Sequence, residues 1–204
     1  MCTRNALSVV KERFSACDPL QMAELSGAAF SNNRLSLKYC NLPVTVDYPH
    51  GTACMVDGHP PLSNDETVLL LQYLSTACGL PPRGKWISFL DLRGGPLHKL
   101  SFQREALDPL AQHYHDRLEL FLETGQKHGG ERVEMGDAAL IIPVLPRLPL
   151  TFILWQGDAE FVPRGMILFD SVAESYLTTA ALYVLAIQSL IRIWFPGDTR
   201  FDGR

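Results

Sequence analysis

Residues 150–169 read Leu-Thr-Phe-Ile-Leu-Trp-Gln-Gly-Asp-Ala-Glu-Phe-Val-Pro-Arg-Gly-Met-Ile-Leu-Phe, and this stretch gives the strongest structural signal in the sequence. Two apolar runs, 150–155 and 166–169, flank a short loop that contains Gly and Pro. Short apolar runs bounded by these residues are typical of buried strands. Because sequential strands usually pair, we predict that the two runs form neighbouring strands of a sheet.

Further strands are predicted on the N-terminal side of this hairpin. Alternating apolar residues at 35–39 and 44–48 indicate a second hairpin, and a third strand is expected at 53–56. Later strands are expected at 86–92, 131–134 and 138–144. Prolines at 143, 146 and 149 suggest a stiff link at a sheet edge, because proline cannot donate to a strand ladder.

Helices are predicted before, between and after these strands. The patterns indicate helices at 6–16, 19–30, 64–78 and 108–125, and an apolar helix at the C-terminus. Ser63 and Glu66 form a capping box for the third of these, and Ser171 and Glu174 have the same spacing. We therefore predict one α+β domain over residues 1–204, with a mostly antiparallel sheet and a short helical N-terminal segment at 5–30.

Composition excludes several classes of protein. The 204 residues are 47% hydrophobic and 20% charged, with a net charge of −4. No block of Lys and Arg is present, which argues against nucleic-acid binding. Residues 177–195 are apolar enough to suggest a membrane span, but Gln188 and Arg192 interrupt them on one helical face. We expect a buried helix with one wet edge, and a cytoplasmic protein that does not cross a membrane.

The cysteines do not encode a metal site by their spacing. Five are present, at positions 2, 17, 40, 54 and 78, and none forms a Cys-x-x-Cys pair. We expect free thiols in a reducing compartment. The sequence also lacks the glycine-rich phosphate loops and the nucleophile elbow of common enzyme families.

The loop after residue 155 contains the most suggestive side chains. Asp158 and Glu160 lie two residues apart, between Trp155 and Phe161. Such acids can hold a hard cation or transfer protons, and the aromatic rings can wall a pocket. Alternatively, Gly157 and Asp158 simply form the turn, with the acids in water. Asp170 ends the return strand, and the strand's length favours a helix-capping role over contact with Asp158.

Two basic side chains extend this list of candidates. Arg164 can form a structural ion pair with the acids of the loop, or it can bind an anion. His98 follows Gly94-Gly95-Pro96-Leu97, where a loop histidine can offer an axial ligand to a haem or corrin. An ordinary solvated histidine explains the same position. No cofactor is identified by these residues.

Several short motifs together resemble the bacterial and archaeal domain-of-unknown-function family 3786. They are Ser26-Gly27-Ala28, Leu70-x-x-Tyr73-Leu74, Gly84-x-Trp86-Ile87-Ser88-Phe89 with Gly94-Gly95, Pro146-Arg147-Leu148-Pro149, Trp155-x-Gly157-Asp158-x-Glu160-Phe161, Ile167-Leu168-Phe169-Asp170 and Tyr176-Leu177. The resemblance covers about residues 15–190. Family members tend to carry an acidic pair where this chain has Ala180 and Ala181.

The resemblance implies a role without an established activity. Some relatives join this domain to a cysteine-rich iron–sulfur module like that of corrinoid iron–sulfur proteins, which implies an accessory role in anaerobic one-carbon metabolism. The leading hypothesis is a binding protein whose ligand or partner contacts the 155–170 region and Tyr176. The alternatives are a metal-dependent enzyme that uses Asp158, Glu160 and Asp170, and a protein-interaction module. Enzymatic activity, ligand, partner and oligomeric state stay open.

Overall fold

The computed structural model describes residues 6–56 and 58–197 and confirms the α+β class. Its strands form two antiparallel sheets. The first is a meander of β1 (Ala29–Ser31), β2 (Arg34–Tyr39), β3 (Leu42–Asp47) and β4 (Thr52–Met55), in that order. Alternate residues of β2 are buried, as the sequence pattern predicts for a strand with one face on the core.

The second sheet has the order β5-β9-β8-β7-β6. Its strands are β5 (Trp86–Ser88), β6 (Glu131–Arg132), β7 (Ala138–Leu145), β8 (Leu148–Trp155) and β9 (Arg164–Asp170). β8 and β9 pair as a hairpin, with Trp155 opposite Arg164 and Leu150 opposite Phe169. The hairpin predicted from residues 150–169 is therefore confirmed.

Helices cover both sheets. They are α1 (Ala6–Ser15), α2 (Pro19–Ser26), α3 (Asn64–Thr76), α4 (Lys99–Phe102), α5 (Asp108–Tyr114), α6 (Leu118–Lys127), α7 (Ala173–Tyr176) and α8 (Thr179–Trp194). Short 3₁₀ segments at Phe89–Asp91 and Gly95–His98 and a π-helix at Gln103–Leu107 complete the chain between β5 and α5. Buried residues of both sheets and of these helices form one hydrophobic cluster.

Helix α3 has the predicted N-terminus. The Ser63 hydroxyl accepts from the Glu66 amide at 3.1 Å, and the Glu66 carboxylate accepts from the Ser63 amide at 2.8 Å. This capping box satisfies two of the amides that a helix start leaves without partners. The helix buries Leu69, Leu70 and Tyr73, in agreement with the apolar pattern.

Helix α8 is a core helix. Its buried side chains include Leu182, Leu185, Ala186, Ser189 and Ile193, as expected for a buried helix. Among the described residues, no helix combines the length and the apolar character needed to cross a membrane. Gln188 and Arg192, on the face predicted to be wet, line a cleft; Gln188 is half-buried, whereas the Arg192 side chain is only 8% exposed.

Some predicted boundaries were wrong for physical reasons. The helix predicted at 19–30 ends at Ser26, because Gly27 takes a left-handed φ of 77° and the chain turns into β1. Pro143 and Pro149 lie inside β7 and β8, which are inner strands. Pro143 is tolerated because the pairing of β7 with β8 shifts between Ile142 and Leu145.

The remaining differences follow from tertiary contacts. The strand predicted at 86–92 stops at Ser88, where a 3₁₀ turn begins. The helix predicted at 108–125 is broken between α5 and α6. Ser171 and Glu174 do not form a capping box. The Glu174 carboxylate instead accepts from the Arg93 amide at 2.8 Å, and α7 starts without a side-chain cap.

Candidate functional site

The loop between β8 and β9 is a hairpin connection whose base is held by an aromatic contact. The Arg164 guanidinium carbon lies 4.3 Å from the centre of the Trp155 ring. This distance is within the range of a cation–π interaction. Arg164 therefore stacks across the hairpin, and no ion pair joins it to Asp158 or Glu160 within the described residues.

Asp158 organises its own turn. Its Oδ1 atom accepts from the amides of Glu160 and Phe161, both at 2.8 Å, and its own amide donates to the Phe161 carbonyl at 2.9 Å. The two amide hydrogen bonds, first that of Glu160, lower the pKa of Asp158. Both acids of the loop are exposed. The arrangement is a preformed turn that presents Phe161 and Val162 with exposed fractions of 68% and 85%.

Asp170 lies at the opposite end of β9 and is fully buried. Its Oδ2 atom accepts from the amides of Arg83 and Gly84, at 2.9 and 2.7 Å, and Oδ1 accepts from the Val172 amide at 3.0 Å. This carboxylate fixes the loop before β5 and the turn after β9. It is held away from solvent and does not meet Asp158.

Tyr176 and His98 occupy two further places. The Tyr176 ring stacks on Tyr73 at 5.7 Å, and its hydroxyl donates to the Leu80 carbonyl at 2.5 Å. Burial raises the pKa of Tyr176 to about 12. His98 is exposed at the end of a 3₁₀ segment, where its ring lies 6.3 Å from that of Tyr183. The structure thus separates the sequence-predicted residues: Asp170 and Tyr176 are buried, and His98 and the acids of the hairpin loop are exposed at different places.

Several of the family-like motifs meet around Tyr73. Its hydroxyl donates to the Ser26 carbonyl at 2.6 Å and accepts from the Arg147 amide at 3.0 Å. Gly27 is needed there, because a Cβ atom would come within 3.2 Å of Pro146 on top of the left-handed backbone. Together with Tyr176, these residues join α2, α3 and the β7–β8 turn. The hydrogen bonds of the Tyr73 and Tyr176 hydroxyls give these two side chains a structural role.

A cleft of about 930 Å³ lies between the start of α3, the end of α6 and the second half of α8. This volume is in the range of small-molecule sites. Its polar lining consists of His59, Ser63, Asn64, Asp65, Glu66, Lys127, His128, Gln188 and Arg192, and its apolar lining includes Leu42, Leu62, Ile191 and Ile193. None of the residues predicted from the sequence as a site lines this cleft.

Arg192 and Glu66 form a buried ion pair at this cleft. Nε and Nη2 of Arg192 donate to the two carboxylate oxygens of Glu66 at 2.5 and 2.7 Å, and the side chains are only 8% and 4% exposed. Burial by itself lowers the pKa of Arg192, but the hydrogen bonds and charge of Glu66 outweigh it, so the pKa is raised. A bidentate pair of this kind fixes the orientation of the guanidinium.

Residues of the first sheet lie next to the pair. The Arg192 guanidinium carbon is 5.7 Å from the Tyr39 ring centre. Burial, with a contribution from the Glu66 charge, raises the pKa of Tyr39 well above its usual value. The Tyr39 hydroxyl has no hydrogen bond of good geometry among the described residues. Tyr39 therefore stays protonated beside the Glu66 carboxylate.

His128 is oriented by the backbone. Its Nδ1 atom lies 2.9 Å from the Cys40 carbonyl, which can only accept, so Nδ1 carries the proton. Burial, followed by the charges of Arg192 and His59, lowers the pKa of His128, although the hydrogen bond to Cys40 acts against this. At neutral pH the ring is therefore uncharged, and its Nε2 atom is an acceptor.

The cleft combines a fixed cation, an oriented neutral imidazole and several amides on an apolar wall. These groups can bind a polar molecule and can accept a proton from it. No group of three or more His, Cys, Asp or Glu side chains suited to a metal ion occurs within 6–56 and 58–197. The described cysteines, at 17, 40, 54 and 78, are free thiols, and Cys2 lies outside the described residues.

The sequence contained one signal for this cleft. Gln188 and Arg192 are four residues apart in an otherwise apolar helix, and polar residues at this spacing share a face. For Glu66 the sequence indicates only a capping role. The partnership of Glu66 with Arg192 spans 126 positions, and that of His128 with Cys40 spans 88. Contacts between residues so far apart in the sequence produce no periodic pattern from which they could be predicted.

Comparison with known proteins identifies one family. The sequence model described as Domain of unknown function (DUF3786) matches residues 18–190, which is most of the chain. No curated protein and no solved structure gives a significant match.

Proposed function

Since the chain belongs to the DUF3786 family, whose function is unknown, we propose a function from the cleft itself: the protein binds a small polar molecule between α3, α6 and α8. The observation that supports this proposal most strongly is the buried Arg192–Glu66 pair at the cleft. Burying two charges costs free energy, and an apolar pair of similar volume often serves stability as well. By contrast, a guanidinium that is held in a fixed orientation at a cavity can contribute to ligand binding.

His128 adds a second argument. A histidine that only filled space needs no defined tautomer, whereas this ring is held by the Cys40 carbonyl with its other nitrogen unprotonated. The same arrangement orients binding histidines in many sites. With Gln188 and Asn64, the cleft offers donors and acceptors beside an apolar wall, which matches the general character of ligand pockets.

Titration calorimetry with a panel of small aromatic probes tests this proposal. The panel contains benzoate, benzamide, benzylamine and phenyl phosphate, which differ in charge but share a ring suited to the apolar wall. We expect the protein to bind at least one probe with saturation. Gln188→Trp should abolish that binding by filling the cleft, whereas Ala180→Trp, at an exposed position of the same helix outside the cleft, should retain it. Equal binding by both variants, or no binding by the parent protein, contradicts the proposal.

A second function is favoured by the hairpin tip. Phe161 and Val162 are largely exposed on a turn that Asp158 holds in place. We propose that this tip contacts a protein partner, with Trp155, Glu160 and Arg164 at its flanks. Cross-linking from Phe161→benzoylphenylalanine tests this role in cells, and products that are lost with Asp158→Ala support it. Products that persist unchanged in Asp158→Ala show that the preformed turn is irrelevant.

The proposed setting, an accessory role in anaerobic corrinoid, iron–sulfur or one-carbon metabolism, rests on the family resemblance. This metabolic setting does not predict which residues of the cleft contact the ligand. Metal binding by Asp158 and Glu160 is the less favoured use of the hairpin, since the turn amides already occupy one carboxylate oxygen of Asp158.

A further inference from the structure

The donors of Arg192 are not all used by the protein. A guanidinium carries five N–H groups. Nε and Nη2 donate to Glu66, Nη2 also reaches the Pro61 carbonyl at 3.3 Å, and Nη1 reaches the Pro60 carbonyl at 3.4 Å. These contacts use four of the five groups. One N–H of Nη1 has no acceptor within the described part of the chain, and Arg192 lines the cleft.

The charges of the cleft are separated in space. Glu66 is matched by Arg192, which leaves Lys127 and Asp65 as the ionised groups without an ion-pair partner among the described residues. Asp65 also lines a groove on the other side, with Thr178 and Ala180, so it lies at the α3–α8 edge. Lys127 precedes His128 at the end of α6. The charges of Lys127 and Asp65 therefore lie on different walls of the cleft.

The electrostatic environment of His128 agrees with this separation. Burial lowers its pKa most, and interactions with Arg192 and His59 lower it further. Neither Asp65 nor Glu66 contributes a detectable shift in the opposite direction. No carboxylate offsets the effect of Arg192 at His128, and Lys127, which precedes His128 in the chain and also lines the cleft, has no ion-pair partner among the described residues.

We propose that the ligand carries an oxyanion, a carboxylate or a phosphate, and that this group binds at the Lys127–His128 end of the cleft. This inference rests on the proposed function. The Lys127 ammonium and the open Nη1 donor of Arg192 supply charge-assisted hydrogen bonds to the oxyanion. His128 Nε2 accepts from an O–H or N–H group of the same molecule. The ring or chain of the ligand lies against Leu62, Ile191 and Ile193.

Probes of similar shape and different charge test the inference. Benzoate and benzamide have nearly the same shape, so the difference between their affinities measures the effect of the negative charge. Benzylamine tests the effect of a positive charge. Phenyl phosphate distinguishes a phosphate-binding site from a carboxylate-binding site. We expect benzoate or phenyl phosphate to bind at least about tenfold more tightly than benzamide and benzylamine, a factor typical of one added charge-assisted hydrogen bond.

Variants at exposed lysines provide the control. Lys127→Gln should weaken binding of the anionic probe about tenfold and leave benzamide unchanged, because it removes one charge-assisted contact. Lys99→Gln removes the same charge at an exposed position outside the cleft and should leave the affinity unchanged. If benzamide or benzylamine binds in the cleft at least as tightly as the anions, the oxyanion inference fails while the proposed function stands. If no probe binds, both fail.

Discussion

Arg192 in α8 and Glu66 in α3 face each other as a buried, bidentate ion pair across 126 positions of the sequence. Glu66 also completes the cap of α3 through the Ser63 amide. One carboxylate thus links the start of a helix, the last core helix and the cleft. The pair therefore makes the geometry of the cleft depend on the packing of α3 against α8.

Removing one member of this pair should strongly destabilise the protein. We expect Arg192→Met to lower the free energy of unfolding by about 3–5 kcal/mol, because Glu66 is left buried without a counter-charge. Arg34→Met should cost less than about 1 kcal/mol, since Arg34 and Asp47 pair with exposed fractions of 61% and 40%. Urea denaturation followed by circular dichroism measures both values. Similar losses for the two variants contradict the assigned role of the buried pair.

Asp170 and Asp158 should respond very differently to the same substitution. Asp170→Asn introduces an amide that can accept at only one atom, so the part-buried amides of Arg83 and Gly84 or the buried amide of Val172 lose a partner. We expect a loss of about 1–3 kcal/mol for each unsatisfied group. Asp158→Asn lies in an exposed turn and should cost much less. Thermal unfolding of both variants checks this, and an unchanged midpoint for Asp170→Asn is the adverse result.

His128 should make stability depend on pH. Its pKa is lowered in the folded protein, so the unfolded chain binds the proton more readily. The contribution of His128 to stability is therefore complete above the unfolded pKa of about 6.5 and is lost as pH falls through it towards the lower folded value. Burial is the main cause of the lowered pKa, and interactions with Arg192 and His59 add to it.

The variant His128→Asn isolates that contribution. Asn can donate to the Cys40 carbonyl but does not titrate. We expect the stability difference between parent protein and variant to shrink as pH is lowered from 7.5 to about 5. Parallel stability profiles over this range show that His128 is not held neutral.

The capping box of α3 should be worth a measurable free energy. Ser63→Ala removes the acceptor for the Glu66 amide and should cost about 1 kcal/mol. Asn64→Ala changes an exposed neighbouring residue without removing this cap and serves as the control. An equal denaturation midpoint for Ser63→Ala and the parent protein is incompatible with the cap.

Local signals predicted much of the fold. The hairpin of β8 and β9 follows from two apolar runs and a glycine-containing turn, and the start of α3 follows from the Ser63–Glu66 spacing. The same spacing at Ser171 failed, because Glu174 finds the Arg93 amide in the folded chain. The inner position of Pro143 depends on a register shift in β7 that no local pattern encodes.

The cleft was harder to predict because its contacts are long-range. In the sequence, the acids of the 155–161 loop are closely spaced carboxylates beside aromatic rings, which favours a site there. In the structure, the same spacing forms a turn in which Asp158 accepts hydrogen bonds from amides of the loop itself. The sequence shows Arg192 as a cation in an apolar helix. Its partner Glu66, however, is already explained by its place in the capping box of α3. His128 had no sequence signal, since its tautomer is fixed by a carbonyl of a distant strand.

Amide chemical shifts during titration with benzoate and with phenyl phosphate show whether the cleft is the ligand site. With at least one of these anions we expect saturable shifts at Asn64, Asp65, Lys127, His128 and Gln188, which line the cleft, and none at residues 156–162 of the hairpin. Shifts confined to the hairpin, or an unchanged spectrum at high concentrations of both anions, would contradict a ligand site in the cleft.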